Sequence, residues 1–145
     1  MTEQTGGAAF GPAASSALFQ LAVAFNDALD RCTQTGGATI DEVMAFFADD
    51  AIRVVAGLAP EGGTEAIRAA YLRRSEALQQ VWELQGMQRW GDQLICWGER
   101  RDSAAPAAAA QRNVRILLVK GGTIRQLTVV VDPDDYPGMR ARLGR

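Results

Sequence analysis

The spacing of apolar residues divides the chain into a helical first half and a strand-rich second half. Over residues 15–32 the apolar positions recur every three or four residues and predict one helix with a buried stripe: Leu18, Leu21, Ala22, Phe25, Leu29 and Cys32. A second helix is predicted over residues 39–48, where Thr39 begins a capping-box spacing. A third is predicted over residues 64–80, with Thr64 as its N-cap.

The rest of the chain has the composition of β-structure. The segment AIRVV predicts one early strand, and the following GLAPEGG predicts a loop. After the third helix, tight turns at RWGDQ and KGGT separate four further candidate strands, over residues 82–90, 93–101, 112–120 and 123–132. Three helices followed by an antiparallel meander indicate an α+β protein with a mixed sheet.

The length and net charge of the chain limit the number of domains and the classes of partner. A chain of 145 residues with 48% hydrophobic and 22% charged residues is typical of one domain. We expect that domain over residues 15–136, between a flexible segment at 1–14 and a tail at 137–145. The net charge of −2 argues against a nucleic-acid partner. No signal segment or membrane span is evident, so we expect no membrane partner and a cytoplasmic location.

Missing residue types exclude several chemistries. The chain contains no histidine, which removes histidine-based catalytic triads and histidine-ligated zinc. Cys32 and Cys96 lack metal-ligand spacing and are interpreted as core thiols. No glycine-rich phosphate-binding motif is present. We therefore expect neither a metal nor a cofactor.

Five segments in order give the chain a family resemblance: FNDAL, DEVMAFFADDAIRVV, EGGTEAIRAAY, GDQLICW and GGTIRQLTVVVDPDDY. Together they resemble the nuclear transport factor 2-like superfamily over about residues 17–136. That superfamily includes SnoaL-like polyketide cyclases, ketosteroid isomerase and limonene-epoxide hydrolase. The resemblance implies a cone-shaped, barrel-like curved mixed sheet covered by three N-terminal helices. It does not select one activity, because the fold carries several reactions and some members have none.

The resemblance places family catalytic positions on this chain but changes most of their residues. The ketosteroid isomerase base falls on Val55, its helix tyrosine on Phe25, and its oxyanion-hole aspartate near Arg115. That machinery is therefore absent. A further pocket tyrosine of that enzyme corresponds to Tyr71, which is equally well interpreted as a core residue.

The limonene-epoxide hydrolase positions are changed too. Its first-strand tyrosine and asparagine correspond to Arg53 and Val55, and its last-strand aspartate falls on or near Val129. Its Arg-x-Asp pair corresponds to Glu99 and Arg101, or to Arg100 and Asp102 if the strand is bulged.

Strand parity gives Arg53 its orientation. Side chains alternate across a strand, so Arg53 shares a side with Val55, which the resemblance places in the interior of the domain. The same alignment places Arg115 inside, and Glu99 and Trp97 with it. A buried guanidinium needs a carboxylate or an anionic ligand, and Glu99 is the expected internal partner. Three interpretations remain open: a structural ion pair, a ligand site, or a slipped register that puts both arginines outside.

The functional hypothesis is a SnoaL-like enzyme or binding protein for a small, partly apolar organic compound with a carbonyl, epoxide or carboxylate group. The predicted catalytic residues are Glu99, Arg115, Arg53 and Tyr71. The predicted substrate-binding residues are Phe25, Val55, Trp97, Arg101 and Val129. The alternative is a non-catalytic ligand-binding or dimerisation module. In either case RILLV and LTVVV are apolar on both faces, which predicts a homodimer through the outer sheet face.

Overall fold

The helices and strands follow one another in nearly the predicted order. The computed structural model describes residues 12–131 except residues 106 and 108, with side chains from residue 16 onward. The helices are α1 (Pro12–Gln34), α2 (Ile40–Met44) and α3 (Thr64–Ala77). The strands are β1 (Phe47–Val55), β2 (Glu61–Gly62), β3 (Gln80–Trp90), β4 (Gln93–Asp102), β5 (Gln111–Lys120) and β6 (Thr123–Val131). Residues 1–11, the predicted tail at 137–145 and the DPDDY motif lie outside the described residues.

The strands form one mixed sheet in the order β2-β1-β6-β5-β4-β3. β1 and β6 are parallel, and every other neighbouring pair is antiparallel. The α+β class is therefore as predicted. The expected barrel-like closure is absent. Within the described residues the sheet is open, with β2 and β3 at its edges, and it is not strongly curled.

Helices α1 and α3 pack on one side of this sheet, which we call the inner face. α1 contacts β3 and β4, and α3 contacts β1. Phe25 of α1 is fully buried, with its ring edge-on to Phe46 at 5.6 Å and to Phe47 at 5.5 Å between centroids. Both cysteines are buried and unpaired, as predicted for core thiols. The opposite side of the sheet, which includes Trp97 and Val130, is called the outer face.

The predicted end of α2, the capping bond of Thr39 and the predicted N-cap of α3 differ from the structure, although Thr39 is the N-cap residue of α2. α2 ends at Met44 and β1 begins at Phe47, because this stretch pairs with β6: the Ile124 amide donates to the Phe46 carbonyl at 2.8 Å. Thr39 makes no side-chain capping bond, and its hydroxyl is buried without a partner. Gly63, rather than Thr64, occupies the N-cap position of α3.

The predicted tight turn between the last two strands is present. Gly121 and Gly122 connect β5 and β6 with φ angles of +60° and +78°. Both angles lie in the left-handed region, which glycine enters without steric cost.

Candidate functional site

Arg53 is buried on the inner face. Along β1 the buried residues include Ala51, Arg53 and Val55, whereas Ile52 is exposed. The side chain of Arg53 therefore faces the same side as Val55, as strand parity predicts, and the residue is only 5% exposed.

The partner of Arg53 is Glu61, a residue that the sequence analysis placed in a loop. Strand β2 pairs antiparallel with β1, so that Glu61 lies directly opposite Arg53. The Arg53 Nη1 to Glu61 Oε1 distance is 2.6 Å. The Arg53 guanidinium also lies 4.8 Å from the ring centroid of Tyr71, a cation–π arrangement. Burial opposes the charge of Arg53, but Tyr71 and Glu61 outweigh it and raise the pKa of this guanidinium.

Arg115 is another buried guanidinium, and no carboxylate of the described residues is in hydrogen-bond contact with it. It is 2% exposed and lies 4.0 Å from the ring centroid of Trp82. Its Nη1 donates a hydrogen bond to the side-chain amide oxygen of Asn26 on α1. Burial lowers the pKa of Arg115 to about 10, so it remains a cation at pH 7.

The prediction that Glu99 pairs with Arg53 or Arg115 is wrong, because the side-chain parity of β4 is the opposite of the predicted one. Its buried residues include Cys96 and Arg100, and Cys96 lies opposite Arg115 in the register. Glu99 instead faces the outer side, where its carboxylate is 3.2 Å from the Arg101 guanidinium.

Because of the same parity, the predicted substrate-binding residues Trp97 and Arg101 lie on the outer face and not on the inner face. Trp97 is 39% exposed on the outer side. Arg101 is exposed beside Glu99. Arg100 takes the inner position, as the bulged-strand alternative would have it, and donates to the Gln111 side-chain oxygen.

Three other predicted lining residues are buried where the alignment places them. Phe25 lies on α1, and Val55 and Val129 are register partners in the parallel β1–β6 pair. Val129 is also opposite Arg115 in the β5–β6 pair. Val55 and Val129 therefore share the inner face with Arg53 and Arg115.

Arg74 of α3 is a further cation at the edge of this interior, partly exposed to solvent. Its Nη1 donates to the side-chain oxygen of Gln80 at 3.3 Å. Burial, with the charges of Arg53 and Arg100, lowers the pKa of Arg74 to about 9. No pattern in the sequence indicates this residue, because an arginine in a polar stretch of helix is typical of the solvent-exposed side.

Asp30 is the carboxylate that sequence reasoning missed near Arg115. Both of its oxygens accept from the Trp82 backbone N–H, at 3.2 and 3.3 Å, and Oδ1 also accepts from the Gln80 side-chain amide at 3.2 Å. β3 is an edge strand, so α1 supplies acceptors for backbone groups that lack a neighbouring strand. Burial raises the pKa of Asp30 despite these hydrogen bonds.

Asp30→Ala is expected to lower the free energy of unfolding by about 1–2 kcal/mol, because the Trp82 N–H and the Gln80 amide lose their acceptor. Urea denaturation followed by circular dichroism measures the change. Asp27→Ala, on the exposed side of the same helix, is the matched control with an expected change within about 0.5 kcal/mol. Equal losses in the two variants would contradict this role for Asp30.

Two buried donors at this site have no acceptor. The Arg53 Nε and the Trp82 Nε1 groups make no hydrogen bond, although each residue is only 5% exposed. Buried polar groups are rarely left unpaired, so these two mark a place where an acceptor is missing.

The described residues include no cluster of ligating side chains that could hold a metal ion. Within the same part of the chain, no helix combines the length and apolar character required to cross a membrane.

Solved structures with the same architecture define the class of fold. A nuclear transport factor 2-like protein of unknown function from Burkholderia pseudomallei superposes with a TM-score of 0.68 at 14% identity, covering 81% of this chain and 92% of that one. A protein from Rhodopseudomonas palustris, described as a proposed isomerase, gives 0.68 at 15% identity, covering 86% and 97%. A proposed polyketide cyclase from Sinorhizobium meliloti gives 0.60 at 22% identity, covering 76% and 93%.

The chain has the nuclear transport factor 2-like fold. No protein-family model matches its sequence, and no curated protein does. At these identities the likeness concerns the fold, and the chemistry has to be argued from the side chains of this chain.

Proposed function

We propose that this protein binds a small, partly apolar organic molecule on the inner face of the sheet and acts on it as a SnoaL-like enzyme. The observation that carries the proposal is the pair of buried guanidiniums, Arg53 over Tyr71 and Arg115 over Trp82, beside apolar side chains. Charged groups in such a place suit a ligand with a carbonyl, epoxide or carboxylate oxygen.

The chemistry proposed is acid–base catalysis with an electrostatic component. Arg115 would polarise a substrate oxygen, because a preorganised cation in a water-poor site stabilises the negative charge that develops there. Asp30 takes the acid–base role first predicted for Glu99. Its charge interacts with that of Arg115, and burial raises the pKa of its carboxyl group, which favours the protonated form that a general acid requires. Polyketide cyclisation and isomerisation, the activities proposed for two of the structural neighbours, both belong to this class.

Adjacent valines allow a test of where a ligand binds. Val129 is buried on the inner face and Val130 is 42% exposed on the outer face. In methyl NMR spectra, a bound ketone, epoxide or carboxylate should shift the signals of Val129 and Val55 and leave Val130 unchanged. Shifts confined to Val130 would refute binding on the inner face.

Dimerisation through the outer face is a second proposal, favoured by its exposed apolar residues. Trp97, Val114 and Val130 border a depression of about 420 Å³ on that face. Trp97 and Val130 are 39% and 42% exposed, which suits an interface with a second copy of the chain.

Sedimentation at micromolar concentration is expected to give a dimer for the wild-type protein and a monomer for Val130→Glu, since a carboxylate in an apolar interface is strongly unfavourable. Val23→Glu provides the control, because Val23 is also 42% exposed but lies on α1. A monomeric wild-type protein would refute this proposal.

A further inference from the structure

The charges on the inner face do not balance within the described residues. The cluster consists of Arg53, Arg74 and Arg115. The charges of Arg53 and Arg115 lower the pKa of Arg74, and Tyr71 lies close enough to all three guanidiniums to favour a higher pKa for each. The carboxylates that face them are Glu61 and Asp30. Among the described residues these three cations meet two carboxylates, so positive charge is in excess. Arg100, also buried on this face, has a further interaction of its own.

The hydrogen bonds of the cluster show which cations are least compensated. Arg53 has a direct carboxylate contact with Glu61. Arg74 and Arg115 instead donate to the neutral side-chain oxygens of Gln80 and Asn26. A neutral oxygen satisfies a hydrogen-bond donor but does not cancel a buried charge. Arg115 is 2% exposed, whereas Arg74 is partly exposed to solvent, so the uncompensated buried charge is centred on Arg115.

Arg53 of the cluster and Trp82 beside it carry donors without acceptors. The Trp82 indole, whose ring is stacked with the Arg115 guanidinium, has an unpartnered Nε1–H group. Arg53, whose guanidinium is stacked on Tyr71, has an unpartnered Nε–H group. A surplus positive charge and spare N–H donors both require a ligand that accepts hydrogen bonds and carries negative charge.

We infer that the inner face recognises a small organic monocarboxylate, with its carboxylate at Arg115 beside the Trp82 indole; this inference rests on the proposed function and narrows its substrate class. A carboxylate carries negative charge, and its two oxygens accept several N–H donors. Val129 and the Trp82 ring make the surroundings of Arg115 partly apolar, which suits an organic carboxylate better than inorganic phosphate. A neutral ketone or epoxide would leave the surplus positive charge in place.

Calorimetric titration of the whole chain with matched probes tests this inference. The probes are propanoate, benzoate and cinnamate, each compared with its neutral amide, together with inorganic phosphate. At least one carboxylate is expected to bind about tenfold or more tightly than its amide, and more tightly than phosphate. Carboxylates that bind no better than their amides, or less well than phosphate, would overturn the inference.

Arg115→Met should weaken carboxylate binding about tenfold or more and leave amide binding nearly unchanged. Arg125→Met is the control, because Arg125 of β6 is exposed and pairs with Asp50 of β1. Trp82→Phe keeps an aromatic ring beside Arg115 but lacks the indole N–H, and it should also weaken carboxylate binding. It serves as the second variant if Arg115→Met does not fold. Carboxylate binding that is equal in the wild type and in the folded variants would refute the inference.

The proposed function and this inference fail separately. If neutral compounds bind and shift the Val129 methyl signals, the protein still binds a small molecule on the inner face, and only the carboxylate assignment is lost. If a carboxylate binds but shifts only outer-face signals, both are overturned.

Discussion

Gly98→Ala is expected to destabilise the domain by about 3 kcal/mol or more. Gly98 is buried on β4, opposite Leu84 of β3. A Cβ atom added there would lie 2.1 Å from the Glu83 carbonyl oxygen, which belongs to the backbone and cannot rotate away. The β3–β4 pair, which carries Trp82 and Arg100 to the inner face, would have to separate at this point.

The control for this substitution is Gly62→Ala. Gly62 lies in β2, and a Cβ atom there meets no other atom within 4 Å. Its effect should stay within about 0.5 kcal/mol. Urea denaturation of both variants measures the difference, and equal stability of Gly98→Ala and the wild type would show that β3 and β4 are not this close.

Arg53→Met is expected to lower the free energy of unfolding by about 2–3 kcal/mol, whereas Arg115→Met should change it by less than about 1 kcal/mol. The first substitution leaves the Glu61 carboxylate, which is largely buried, without its 2.6 Å partner. The second removes a buried cation that has no carboxylate among the described residues in hydrogen-bond contact, and this gain offsets the lost bond to Asn26.

The double variant Arg53→Met with Glu61→Gln provides the control for that contrast. If the loss comes from an unpaired Glu61, replacing it with a neutral amide should recover part of the stability lost in Arg53→Met. A larger loss for Arg115→Met than for Arg53→Met would mean that the charges of the inner face are compensated differently from this account.

The sequence predicts the architecture well because its signals are periodic. The stripe through Phe25 and the turn at Gly121 and Gly122 both predict structure that the fold contains. β2 has only two residues and lies in a stretch rich in glycine and proline, so no pattern indicates it. Its absence from the prediction also concealed Glu61, the partner of Arg53.

The orientation of β4 could not be predicted from its own residues. Leu94 and Cys96 face inward, but Ile95 and Trp97 on the other side are also apolar, so alternation does not distinguish the two faces. The predicted parity placed Glu99 inside, whereas the register with β5 places Arg100 there. For Arg53 and Arg115 the family resemblance supplied the inward side of each strand, and both residues are buried there.

The contacts across the interior also exceed what sequence can show. Asp30 and Asn26 lie on the same helix, and their partners are Trp82 and Arg115 on separate strands. Such pairs depend on how α1 is placed over the sheet, which the helical period alone does not determine.

The most direct test of the carboxylate site is the NMR signal of the Trp82 indole N–H during titration with the tightest-binding carboxylate probe. Trp82→Phe assigns the signal, and the indole of Trp90, which is 72% exposed, is the internal control. We expect the Trp82 signal to move downfield with saturation as its N–H gains an acceptor, while the Trp90 signal stays in place and the matched amide has no effect. An unchanged Trp82 signal at saturating carboxylate would contradict the account.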